Sequence, residues 1–64
     1  MVIKERIDKA NIHLYMKKIQ AKGYKKVGRE YGKNFYKILF ERKRGDNVEK
    51  LTMRYTDNGW LSIF

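Results

Sequence analysis

The sequence predicts an α+β domain: one N-terminal helix packed on a three- to four-stranded antiparallel meander sheet, in two layers. Three observations predict it. Apolar residues recur at helical spacing within residues 8–22. Residues 35–43 and 48–55 alternate with a period of two. Glycine and asparagine clusters punctuate the second half at the intervals that hairpins require.

The helix is expected over DKANIHLYMKKIQAK, residues 8–22. Asp8 is a suitable N-cap, because its carboxylate can accept a bond from a free N–H of the first turn. Ile12, Tyr15, Met16 and Ile19 form one apolar stripe, and lysines crowd the last turns, where they complement the macrodipole. Gly23 supplies a left-handed C-cap, and Tyr24 can fold back on the helix. Leu14 lies off the stripe and is assigned to packing against the N-terminal segment. Ile3, Ile7, Ala10 and Leu14 share helical spacing, which would let the helix begin near residue 3; the segment MVIKERI is read instead as a short edge strand or an irregular arm, since Asp8 is the better start signal for a helix.

Residues 24–31, YKKVGREY, read as a strand with Val27 and Tyr31 pointing one way and Gly28 marking a bulge. Gly32, Lys33 and Asn34 make a turn, and the next strand covers residues 35–43. Arg44, Gly45, Asp46 and Asn47 form a hairpin loop in which Gly and Asn can take positive φ. A strand over 48–55, a turn at Thr56–Gly59 and a last strand in WLSIF complete the chain. The expected core is Ile12, Met16, Ile19, Val27, Ile38, Phe40, Leu51, Met53 and one face of WLSIF.

Sixty-four residues make a single domain, 1–64, with a small core. Such a core supplies only ~3–5 kcal/mol of stability without a staple. There is no cysteine, hence no disulfide framework and no thiolate metal site, which fits a cytoplasmic setting. No apolar run is long enough to span a membrane, and the N-terminus lacks the apolar centre of a signal peptide.

Charge is the strongest global signal. Sixteen Lys and Arg against seven Asp and Glu give a formal net charge of +9. Residues 1–34 carry ten basic and three acidic groups, and residues 35–64 carry six and four, so most of the field arises in the first half. Such a field favours polyanions: DNA or RNA first, an acidic protein or membrane surface second. Brevity, the lack of Pro and Cys, and lysine richness also suit small phage or plasmid proteins.

Catalysis has little support. His13 is the only histidine, and a general base needs an orienting partner and a pocket. The acids are dispersed, without metal-ligand spacing, and no cofactor is implied. Arg44-Gly45-Asp46 spells the tripeptide of integrin ligands but has the chemistry of a hairpin loop.

The leading surface is the segment KKIQAKGYKKVGREYGK. It places Lys17, Lys18, Lys22, Lys25, Lys26, Arg29 and Lys33 around the helix end and the following strand. Lysine and arginine neutralise phosphates and release counterions. A second surface follows from strand alternation. Tyr36, Ile38 and Phe40 face the core, so Phe35, Lys37 and Leu39 share the opposite face with Val48, Lys50, Thr52 and Arg54. There Phe35 can stack on a base while Lys37, Lys50 and Arg54 hold phosphates. The same face could instead be covered by the N-terminal arm, by a second copy in a homodimer, or by lysine stems alone.

Helix, KGYKKVGREYGKNFYKI and hairpin together resemble the small mRNA-interferase toxins of Hic-type systems and the double-stranded-RNA-binding fold, over residues 12–55. The resemblance lies in topology and glycine placement. Those toxins place a histidine after the glycine of the first turn. Here Lys33 and Asn34 follow Gly32, and the chain has no room for that fold's second helix. The expectation is therefore a non-enzymatic, nucleic-acid-binding module. The alternative is a protein-interaction module, such as an inhibitor docking on an acidic surface.

Overall fold

The computed structural model describes residues 2–64. Strand β1 covers Ile3–Arg6, a 3₁₀ turn covers Lys9–Asn11 and helix α1 covers Ile12–Ala21. Strands β2 (Lys25–Tyr31), β3 (Phe35–Arg44), β4 (Asn47–Thr56) and β5 (Trp60–Ile63) follow. All pairings are antiparallel, in the order β1-β5-β4-β3-β2. The sheet thus has five strands rather than three or four. The added strand is the N-terminal segment: Ile3 pairs with Ile63 and Arg6 with Trp60, so the two chain ends close one edge together. Met1, the first residue of that segment, lies outside the described residues.

The α-helix starts later than the sequence predicts. Asp8 is extended (φ −71°, ψ 141°), and its side chain caps nothing. Its carbonyl accepts the Asn11 N–H at 2.9 Å, closing the 3₁₀ turn from which α1 departs. The C-terminus agrees with expectation, since Gly23 has φ +94°. Arg42 reinforces this end from β3. Its Nη1 donates to the Lys22 carbonyl at 2.8 Å, where a cation suits the helix dipole, and its guanidinium lies 4.5 Å from the Tyr24 ring centroid. Nε and Nη2 of Arg42 both donate to Glu49 Oε1, at 3.1 and 2.9 Å.

The helix and the sheet share one core. Ile12 and Ile19 from α1 meet Ile38, Phe40, Leu51, Met53, Leu61 and Ile63, all buried. Met16 and Tyr15 flank this cluster half-buried. The Tyr15 hydroxyl donates to the Glu5 carboxylate, tying α1 to β1; that bond, then desolvation and the carboxylate charge, pushes the phenol pKa up. Leu14 is 56% exposed instead of packed against the N-terminal segment. It projects opposite Ile12 and Ile19 on the helix, and β1 is held in the sheet.

Val27 also departs from expectation. It is 54% exposed, because the β2–β3 register shifts between Lys26 and Gly28. The extra residue breaks the alternation. Val27 then lines a surface depression with Lys25, Lys43 and Val48, while Tyr31 stays opposite Tyr36. Beyond the helix, Tyr31, Tyr36 and Tyr55 form a ladder across β2, β3 and β4, with centroids 6.3 and 5.9 Å apart. Burial pushes the Tyr36 phenol pKa up, with smaller contributions from Tyr55 and Tyr31.

Only Gly45 takes positive φ in the β3–β4 hairpin (+62°), and Asn47 pairs with Arg44 inside the ladder. Gly at the first central position with a negative-φ second residue is the pattern of a type II′ turn. Among the described residues no helix is long and apolar enough to cross a membrane.

Candidate nucleic-acid interface

With α1 on one side, nothing among the described residues covers the other face of the sheet. Register defines that face. Lys37 opposes Arg54, Leu39 opposes Thr52, Glu41 opposes Lys50 and Lys43 opposes Val48. Side chains alternate along each strand, so these residues share the side away from Ile38, Phe40, Leu51 and Met53.

Rows then run across all five strands. Lys4, Ser62, Arg54, Lys37 and Glu30 are successive cross-strand partners from β1 to β2. Adjacent strands lie ~4.8 Å apart, so the row is ~19 Å long. To one side lies an aromatic row, with Arg6 opposite Trp60 and Thr56 opposite Phe35. To the other, Phe64 exchanges both backbone hydrogen bonds with Thr52, at 2.8 and 3.0 Å, and Leu39 continues the line. Trp60 is 42% and Phe64 55% exposed, while Phe35 is half-buried. Glu30 and Glu41 are the carboxylates within this pairing, against a clear majority of Lys and Arg; Lys37 Nζ reaches Glu30 at 4.0 Å.

Two cations stand close to the Phe35 ring. The Arg54 guanidinium lies 4.7 Å and Lys37 Nζ 5.5 Å from its centroid. A Cβ added at Gly32 would meet the Phe35 ring itself. Gly32 does not have positive φ, so its lack of a side chain serves this close approach rather than the backbone. Phe35, Arg54 and Trp60 border a cavity of about 490 Å³ at one end of the face. Turn residues Asn34, Asp57 and Asn58 complete it. Its turns are stitched together: Asp57 N–H donates to the Asn34 carbonyl at 2.9 Å, and Trp60 N–H to Thr56 Oγ1 at 3.2 Å.

The two surfaces expected from sequence fare differently. Phe35, Lys37, Lys50 and Arg54 do come together on the open face. The Lys17–Lys33 segment is divided. Lys17, Lys18 and Lys22 are exposed on or just after α1, and Lys18 stands 5.3 Å from the Tyr15 ring centroid. Lys25, opposite Glu41, joins the open face. Lys26 and Arg29, opposite Phe40 and Ile38, lie on the helix side of β2, and Lys33 sits in the β2–β3 turn. Strand alternation, which sends Lys25 and Lys26 to opposite faces, carries the signal for this division.

Lys4, Arg6, Trp60 and Phe64 are the functional candidates not singled out from sequence. Alternation within IKER and WLSIF gives their phase, but only the pairing of the two ends puts them on this face. His13 is exposed and lines a groove between α1 and β2 with Lys9, Lys26 and Arg29, over Ile12, Met16 and Ile38. Among the described residues, no group of three or more His, Asp or Glu is placed to hold a metal ion. The chain matches no family model, no curated protein and no solved structure.

Proposed function

We propose that this chain is a non-catalytic module that binds single-stranded nucleic acid on the open face of its sheet. One observation carries the reading: an uncovered five-strand face on which exposed aromatics and cations stand in adjacent rows. Aromatic rings stack on unpaired bases irrespective of sequence, and Lys and Arg between them neutralise phosphates. A second copy stacked face to face would set like charges against each other, which disfavours that homodimer. The helix lysines extend the field without belonging to the contact surface.

Trp60 is the only tryptophan, so its fluorescence reports on this face. Random-sequence DNA and RNA single strands of about ten nucleotides should quench it on binding at ~50 mM salt. Affinity should fall with salt along a log–log slope of about −0.7 for each phosphate neutralised. Absence of binding at the lower salt would overturn the reading. So would tight, salt-insensitive binding to one acidic protein with none to oligonucleotides.

Gly32→Ala isolates the aromatic contribution. The added methyl leaves every charge in place but must displace the Phe35 ring. Affinity is expected to drop about five- to tenfold, the low end of the ~1–3 kcal/mol that one stacked base contributes. An unchanged affinity in a variant with wild-type circular dichroism would remove Phe35 from the platform.

A further inference from the structure

We infer that the cavity between Phe35 and Trp60 is a base-recognition pocket selecting unpaired guanine. This rests on the nucleic-acid reading above and names the nucleotide that the face prefers. The volume, about 490 Å³, falls within the range of small-ligand pockets. Phe35 and Trp60 offer π-faces on its border, and Asn34 adds an amide.

Asp57 is the informative residue. Phosphate contact has no use for a carboxylate, which repels it. Yet Asp57 lines this cavity on a face otherwise dominated by Lys and Arg. Among the described residues its side chain makes no ion pair and no hydrogen bond; the ion pairs present are Lys37–Glu30 and Arg42–Glu49. Asp57 and Arg54, both exposed, border this one cavity, so a carboxylate and a guanidinium stand within reach of a single occupant; Asp57 also borders the neighbouring depression of Asp8, Lys9, Tyr36 and Tyr55.

Guanine meets both demands. Its Watson–Crick edge carries two donors, N1–H and the N2 amino group, matched to the two oxygens of a carboxylate. Its other edge carries two acceptors, O6 and N7, matched to a guanidinium. Adenine would turn its N1 acceptor toward Asp57. Cytosine sets one donor beside two acceptors, and uracil and thymine set a single N–H between two carbonyls. In a duplex the Watson–Crick edge of guanine is occupied by pairing, so the base must be unpaired.

The test uses the full chain and labelled oligo-dT and oligo-U of about ten nucleotides. Each is made unsubstituted, with one central guanine, and with one central adenine. A single guanine avoids self-association of the probe. In fluorescence anisotropy at ~50 mM salt, guanine is expected to tighten binding about tenfold and adenine not at all. Asp57→Asn should bring the ratio of guanine-containing to unsubstituted affinity close to one, with its fold confirmed by circular dichroism. Equal affinity for all three oligomers, a preference for adenine, or a guanine preference that survives Asp57→Asn would each overturn the pocket. Those results leave the nucleic-acid reading standing. Failure of every oligomer to bind would bring down both.

Discussion

Changing Lys37, Lys50 and Arg54 together to Glu is expected to weaken single-strand binding about a hundredfold at ~100 mM salt. The figure follows from the counterion release of three phosphate contacts, each worth about 0.7 in the log–log slope. The slope itself should become shallower by about two for the same reason. All three residues lie on the open face, where Lys37 and Arg54 are direct cross-strand partners and Lys50 is two residues from Thr52, the partner of Leu39.

The matched comparison is Lys17, Lys18 and Lys22 to Glu. Either triple lowers the formal charge from +9 to +3, so the long-range field falls equally. The helix triple leaves the sheet contacts intact and should retain the salt slope. It also places acids near the C-terminal end of α1, at a cost of ~0.3–1 kcal/mol each, so both variants need a thermal melt beside the binding curve. Equal losses would mean that only the field matters. A larger loss from the helix triple would move the interface to the α1 side of the sheet, where Lys18 and Lys22 line a depression with Ile3, Tyr15 and Ile63.

Much of this site was legible in the sequence because a strand's alternation is local. FYKILFE sends Tyr36, Ile38 and Phe40 to one face and Phe35, Lys37 and Leu39 to the other without reference to any other segment. The β3–β4 turn at Gly45–Asp46 then sets the register that aligns Lys37 with Arg54. What escaped is non-local or irregular. IKER is too short to declare a partner, and it joins β5, about sixty residues away, only once the sheet is assembled. That pairing completes the aromatic row by placing Arg6 beside Trp60. Gly28 signalled a bulge, but not which side chain the bulge would redirect, and Val27 left the core as a result. The run of lysines from 17 to 33 looked like one patch because sequence proximity conceals the change from helix to strand. Net charge predicted a polyanion without choosing a face.

Phe40→Ala should leave the chain mostly unfolded at 25 °C, whereas Val27→Ala should barely be felt. Phe40 is 1% exposed and packs with Met53, Leu61 and Ile19, each 0% exposed, in the one core shared by α1 and the sheet. Truncating a buried Phe to Ala costs ~3–5 kcal/mol, through lost transfer energy and the cavity left behind. A domain of this size, with no disulfide, has only ~3–5 kcal/mol to lose. Val27 is 54% exposed, and its truncation should stay within ~0.5 kcal/mol. At ~4–8 °C per kcal/mol for a domain this small, its melting temperature should move by less than ~4 °C. Far-ultraviolet circular dichroism with thermal and urea melts separates the two cases. Comparable losses in both variants would mean that Val27 is covered after all, and the open face with it. A single-stranded oligonucleotide in excess should partly restore Phe40→Ala, because a ligand bound only by the folded chain pulls the equilibrium back. Restoration that disappears when Lys37, Lys50 and Arg54 are also reversed would connect the core to the function of the face it supports.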